Sequence, residues 1–170
     1  MTQTIIIMGV SGTGKSTIAQ QLALQIDGLY LDADDFHSEQ AKNMMRQGIG
    51  LTEKQRKPWI ERLSQATKAP INEYSAIVLA YSGLKSAHRQ QLFAASPNTV
   101  MIMLEADEQT LQQRLEQRQA HFFNPRLLRD QLVQMEAIDD AETVYSIDAR
   151  QPMLSIVKQI LEIANAKRVA

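Results

Sequence analysis

The 170-residue chain carries 18 basic and 19 acidic side chains, three histidines and no cysteine, and 44% of its residues are apolar. That length fits one domain with a self-sufficient core; the balanced charge offers no broad field for nucleic acid or an acidic membrane, and the lack of cysteine excludes disulfide and thiolate chemistry. No apolar run approaches the ~20 residues of a membrane span, and Ile5–Met8 leads into glycines rather than a cleavage site, so a cytoplasmic setting without membrane or nucleic-acid partners is expected.

Thr4–Met8 is an apolar run that predicts a strand, and it ends directly before Gly9-Val10-Ser11-Gly12-Thr13-Gly14-Lys15-Ser16. This stretch matches G-x-x-x-x-G-K-[ST], in which glycines let successive N–H groups turn inward on a phosphate oxyanion. The helix predicted over Lys15–Gln25, with Thr17 in its first turn, adds the partial positive charge of its N-terminus. In such a loop Lys15 bridges the β- and γ-phosphates of ATP, and the Ser16 hydroxyl serves Mg²⁺. A tight glycine turn with an exposed lysine is the plainer alternative.

The next strand, Leu29–Asp32, runs into Ala33 and Asp34. Two carboxylates two residues apart project from one side of an extended segment, at the carboxyl end of a strand, where open α/β sheets bind ligands. Asp32 is assigned to the metal side and Asp34 to an acceptor hydroxyl, against the alternative of a solvated loop whose acids cap the following helix. Helices are predicted over Ser38–Gln47 and Glu53–Thr67, a strand over Ala76–Ala80, a helix over Ser86–Ala94 and a strand over Val100–Leu104. No N-K-x-D or D-x-x-G motif supports a GTPase.

The helix predicted over Glu108–Arg118 places Arg114 and Arg118 four apart on one face, and the break at Gln119–Pro125 follows. Phosphoryl transfer gathers charge on the migrating group, so these arginines are read as a lid over the phosphates; a surface of ordinary ion pairs with Glu105, Glu108 and Glu116 is the alternative. A helix over Arg126–Met135, a strand over Val144–Ile147 and a helix over Met153–Ala166 complete the chain. Alternating strands and helices imply a doubly wound α/β fold with a parallel sheet. With no repeat or linker to divide it, the chain is expected to form one P-loop kinase domain over 1–170, with a lid at about 118–126.

Taken together, the pieces resemble the gluconate kinase family of small P-loop carbohydrate kinases, relatives of the shikimate kinases. The likeness rests on Met8 to Ser16, Leu31-Asp32-Ala33-Asp34 with His37, Gly48, Leu51, Arg56-Lys57-Pro58-Trp59, Ser82, Leu84-Lys85, Arg89, Arg114-Leu115, Arg118 and His121-Phe122-Phe123. It implies transfer of the ATP γ-phosphate to the terminal hydroxyl of a six-carbon sugar acid, a three-layer fold around a five-stranded parallel sheet, and a homodimer. By the same resemblance His121 joins the substrate-binding residues, and Gln151-Pro152 lies against the adenine. Departures from the family pattern fall at Ala41, Met44, Glu53-Lys54-Gln55, His88, Gln90 and Ala120, mostly on acceptor-facing stretches. A kinase for another small hydroxylated acid or sugar, or a non-catalytic nucleotide sensor, are the alternatives.

A sugar acid offers one carboxylate and several hydroxyls, so its site needs fixed cations and hydrogen-bonding groups. Arg56, Lys85 and Arg89 are the cations available, His37 is a partner for a hydroxyl, His88 is read as structural or exposed, and Trp59 as core more than pocket wall.

Overall fold

The computed structural model describes residues 2–68, 73–117 and 125–169. In chain order the elements are β1 (Gln3–Met8), α1 (Lys15–Gln25), β2 (Leu29–Asp32), a 3₁₀ turn (Ala33–Phe36), α2 (Glu39–Arg46), α3 (Glu53–Lys68), β3 (Ala76–Tyr81), α4 (Ser86–Ala95), β4 (Thr99–Glu105), α5 (Glu108–Glu116), α6 (Pro125–Gln134), β5 (Val144–Asp148) and α7 (Met153–Val169). Their bounds lie within three residues of the sequence expectation. The 3₁₀ turn was not foreseen, Ser38 caps α2 instead of joining it by accepting from Ala41 N at 3.2 Å, and α5 stops at Glu116.

The five strands form one parallel sheet in the order β2-β3-β1-β4-β5. The chain travels to one side of β1 and then to the other, so the crevice at the carboxyl end of β1 is the switch point where ligands bind in such sheets. Register brings the strand ends level there, with Met8 opposite both Tyr81 and Met103.

Side-chain alternation builds the layers. Ile5 and Ile7 pack with Val78, Ile102 and Leu104 against α1 (Ile18, Leu22) and α7 (Ile156, Ile160). Ile6 and Met8 point the other way, with Leu79, Tyr81 and Met103, against α3 (Trp59, Ile60, Leu63) and Leu92 of α4. Burial on both faces explains why these strands read as unbroken apolar runs. A smaller cluster of Val10, Leu111, Leu115 and Leu128 seats α5 and α6 on the loop after β1. Among the described residues no helix is long and apolar enough to cross a membrane.

Candidate active site

Gly9 and Gly12 sit at φ +152° and +90°, and both are crowded as well as strained for other residues: a Cβ would come 2.5 Å from Thr13 Oγ1 and 3.0 Å from Leu111 O, respectively. The Thr13 hydroxyl donates to Val10 O at 2.8 Å, closing the loop from inside. α1 starts after Gly14 with no side-chain cap and no acid in its first turn. Its first N–H groups and its dipole are therefore left to an anion.

Beside this loop, Asp32 is fixed by three donors. Its Oδ2 accepts from Ser16 Oγ at 3.1 Å and from the Tyr30 hydroxyl at 2.8 Å, and its Oδ1 accepts from Asp34 N at 3.0 Å. Burial, and then the bond to Asp32, push the Tyr30 hydroxyl up to about 12, so it stays a proton donor. The Ser16 hydroxyl and the Asp32 carboxylate form a hard-oxygen pair next to the phosphate loop. Among the described residues no group of three or more His, Cys, Asp or Glu could hold a metal. The Ser16–Asp32 pair suits Mg²⁺, which takes few protein ligands and draws the rest from phosphate and water.

One cleft runs from this loop outward, lined by Ser11, Lys15, Asp34, His37, Arg56, Trp59, Lys85, His88, Gln131 and Gln134. Asp34 is solvent-exposed at the open cleft, yet protein surrounds its carboxylate on most sides. That desolvation raises its pKa, Lys15 opposes the rise, and the Asp32 charge adds to it. An acceptor that displaces the remaining water gives the upward push its full weight.

His37 is buried and stacks on Trp59 with ring centroids 4.2 Å apart and planes 15° apart. Burial, followed by the charges of Arg62, Lys42 and Arg56, lowers its pKa to about 4, so the ring is neutral near pH 7. Its buried Nδ1 has no partner among the described residues. Trp59 combines both readings offered for it, since it packs in the core, donates from Nε1 to Ala33 O at 2.7 Å and walls the cleft.

The cations differ from expectation. Arg56 reaches the cleft, bonded to Glu53 at 2.9 Å and to Gln134. Lys85 reaches it paired with Glu136 at 3.0 Å. Arg89 does not. It is completely buried, gripping Glu142 through Nε at 2.6 Å and Nη2 at 2.7 Å and donating to Gly83 O, Glu136 O and Ala137 O. With every N–H group directed inward, it holds the loop after α6 to the start of α4 and has no donor for a substrate. His88, read as structural or exposed, lines the cleft with its Nε2 3.0 Å from Glu53.

A second groove flanks the phosphate loop, lined by Gly12, Gly14, Thr17, Arg114, Gln117, Ala149, Gln151 and Met153. Arg114 donates to Ala149 O at 2.8 Å and to Gly12 O at 3.4 Å. It therefore bridges the loop to the turn after β5. Gln151 lines this groove and Pro152 does not. Arg118, His121 and nearly all of the expected lid lie outside the described residues.

Tyr30, Gln131, Gln134 and Met153 are among the residues at these sites with no counterpart in the sequence reading. Tyr30 shares a strand face with Asp32, so its i, i+2 spacing was an available signal. Gln131 accepts from the Ser11 N–H at 2.7 Å across 120 residues of chain, and Met153 lines the second groove; no local pattern marks either.

The fold agrees with comparisons to known proteins. Residues 5–146 match the AAA domain family. The chain is 34% identical to a gluconokinase of Arabidopsis thaliana, covering 95% of this chain and 93% of that one. A solved gluconokinase from Sinorhizobium meliloti 1021 superposes with a TM-score of 0.85 at 28% identity, covering 96% of this chain and 92% of the other. A solved sugar kinase from Janibacter sp. HTCC2649 gives a TM-score of 0.87 at 32% identity, with 98% of each chain covered. A phosphate loop at the sheet's switch point, a carboxylate pair beside it and full-length likeness to these relatives lead to one assignment: the chain belongs to the gluconokinase family of P-loop kinases.

Proposed function

We propose that this protein transfers the γ-phosphoryl group of ATP to the terminal hydroxyl of D-gluconate, giving ADP and 6-phosphogluconate. The observation that carries the reading is the single cleft in which Lys15 and Ser11 of the phosphate loop, Asp34, and the cations Arg56 and Lys85 line one space. A phosphate donor and an anionic polyol acceptor can meet there with Asp34 between them.

In this reading the acceptor hydroxyl attacks the γ-phosphorus in line as the bond to the β–γ bridging oxygen breaks. Asp34 takes the hydroxyl proton, a task suited to a carboxylate whose pKa burial has raised. Lys15 donates to the phosphate oxygens, and Arg118 is assigned to the charge that develops on the migrating group. Ser16 and Asp32 are the residues that would hold Mg²⁺, which when bound would supply charge neutralisation to the phosphates. Neutral His37 offers its unpartnered nitrogen to a hydroxyl rather than to the carboxylate. His121 is assigned to the acceptor side. Work on ATP and a metabolite acid suits a cytoplasmic protein, and the family resemblance motivates a homodimer.

A second acceptor is favoured by one observation: Arg56 and Lys85 are each already paired with a carboxylate, Glu53 and Glu136. An acceptor with a weaker demand for cations would fit that arrangement. ADP release measured over a panel of sugar acids, aldoses and polyols, with and without Mg²⁺, decides between them. Gluconate is expected to give the highest kcat/KM, with turnover lost on chelation; a neutral polyol outperforming it would overturn the assignment.

A further inference from the structure

Two glutamines one turn apart on α6 line the acceptor cleft, and each faces a group that can only donate. Gln131 receives the Ser11 backbone N–H at 2.7 Å, and Gln134 receives a guanidinium N–H of Arg56. A backbone amide and an arginine have no acceptor to offer, so in both cases the facing atom must be the carbonyl Oε1. The orientation of each side-chain amide follows from this. Each NH₂ group is left on the far side, and among the described residues neither donates to any protein atom.

The helix is held firmly enough for this to matter. Leu128 is buried against Val10, Leu111 and Leu115, so an adjoining face of α6 is anchored on the phosphate loop and α5. Leu127, Gln131 and Gln134, spaced at helical intervals, then present one face to the cleft that also holds Lys15 and Asp34. Two neutral, pre-oriented donors suit hydroxyl oxygens better than a carboxylate, which draws on cations.

Resting on the reading of the acceptor as a sugar acid, we propose that Gln131 and Gln134 hold the hydroxyl chain of the acceptor through their side-chain NH₂ groups. Gln131, tied to Ser11, positions the end nearest the phosphate, and Gln134, tied to Arg56, positions the remoter part. Both are positioning residues, because neither exchanges a proton with the reacting atoms.

The test is steady-state kinetics with D-gluconate and ATP for Gln131→Glu, Gln131→Met and Gln134→Met. Gln131→Glu keeps an acceptor for the Ser11 N–H but replaces the donor with a negative charge; Gln131→Met removes both donor and acceptor at similar volume and without charge. Loss of a neutral hydrogen bond predicts a rise of about five- to tenfold in the KM for gluconate in each variant. In Gln134→Met, which leaves the phosphate loop untouched, the KM for ATP and the melting temperature should stay near those of the wild type. A matched series of monodeoxy gluconates should contain one analogue on which wild type and Gln131→Met perform equally. An unchanged gluconate KM, an equal rise in the KM for ATP of Gln134→Met, or a series in which no analogue abolishes the difference would overturn the proposal. If the wild type turns over another acid instead, gluconate as acceptor fails and the glutamine test runs on that acid. If no acid in the panel is turned over or bound, both fail.

Discussion

The phosphate loop is made of eight consecutive residues, Gly9 to Ser16, shaped by glycine backbone angles and closed by a bond between near neighbours, Thr13 and Val10. The acceptor cleft gathers side chains from the 3₁₀ turn, α3, the start of α4 and α6, and pairs between distant segments hold it: Arg56 with Gln134, Lys85 with Glu136, His88 with Glu53. Backbone geometry tolerates little change, because a single Cβ at Gly9 collides with the loop. Side-chain pairs can be exchanged one at a time. The comparison locates where such a kinase can alter its acceptor while keeping its donor, and of the departures from the family pattern His88 falls on the exchangeable side.

The largest effect should come where the two regions meet. Asp34→Asn keeps the shape and removes the base, so kcat should fall by about 10²–10⁴-fold with nucleotide affinity nearly unchanged. In the wild type the acid limb of the kcat/KM profile should lie above the ordinary aspartate range, because the Asp34 pKa is raised and activity is lost as pH falls through it. Stopped-flow turnover with fluorescent nucleotide titration checks the first point, and a profile flat down to pH 4 would contradict the second.

An intermediate effect is expected beneath the acceptor side. Arg89→Met strands the Glu142 carboxylate in the interior, which should cost about 3–5 kcal/mol of stability, whereas Arg89→Met with Glu142→Leu should recover much of that loss. The bonds from Arg89 hold Glu142 down to about 2. A depressed carboxylate stabilises the fold fully above its unfolded pKa near 4.5, and that contribution fades as pH falls towards 2. Thermal melts from pH 7 to pH 3 should therefore show a steeper acid loss in the wild type than in the double variant.

The smallest effect belongs to the nucleotide side. Tyr30→Phe removes one of three donors to Asp32 and leaves Ser16 in place. A rise of about two- to tenfold in the Mg²⁺ concentration for half-maximal rate is expected, and an unchanged Mg²⁺ dependence would show that Tyr30 has no part in holding Asp32.

What could be read beforehand follows the same division. The loop was legible because its chemistry demands fixed residue types at fixed spacing, and β1, β3 and β4 because burial on both faces leaves continuous apolar runs. The i, i+2 spacing that singled out Asp32 and Asp34 assumes an extended segment, whereas Asp34 lies in the 3₁₀ turn and its N–H donates to Asp32 Oδ1. The same spacing holds for Tyr30 within β2 without showing where its hydroxyl goes. Arg89 was misplaced because an arginine bound to an internal carboxylate 53 residues away looks the same in sequence as one awaiting a substrate. Gln131 and Gln134 were invisible for the same reason, since their roles arise only when α6 lies across the loop and α3.

The central claim is that ATP and gluconate meet in this cleft and exchange a phosphoryl group. The measurement that bears on it most directly is the stoichiometry of products when wild-type protein is incubated with ATP, Mg²⁺ and D-gluconate. The account expects ADP and 6-phosphogluconate in equal amounts. ADP with free phosphate and no sugar phosphate, or no ADP at all, would contradict it.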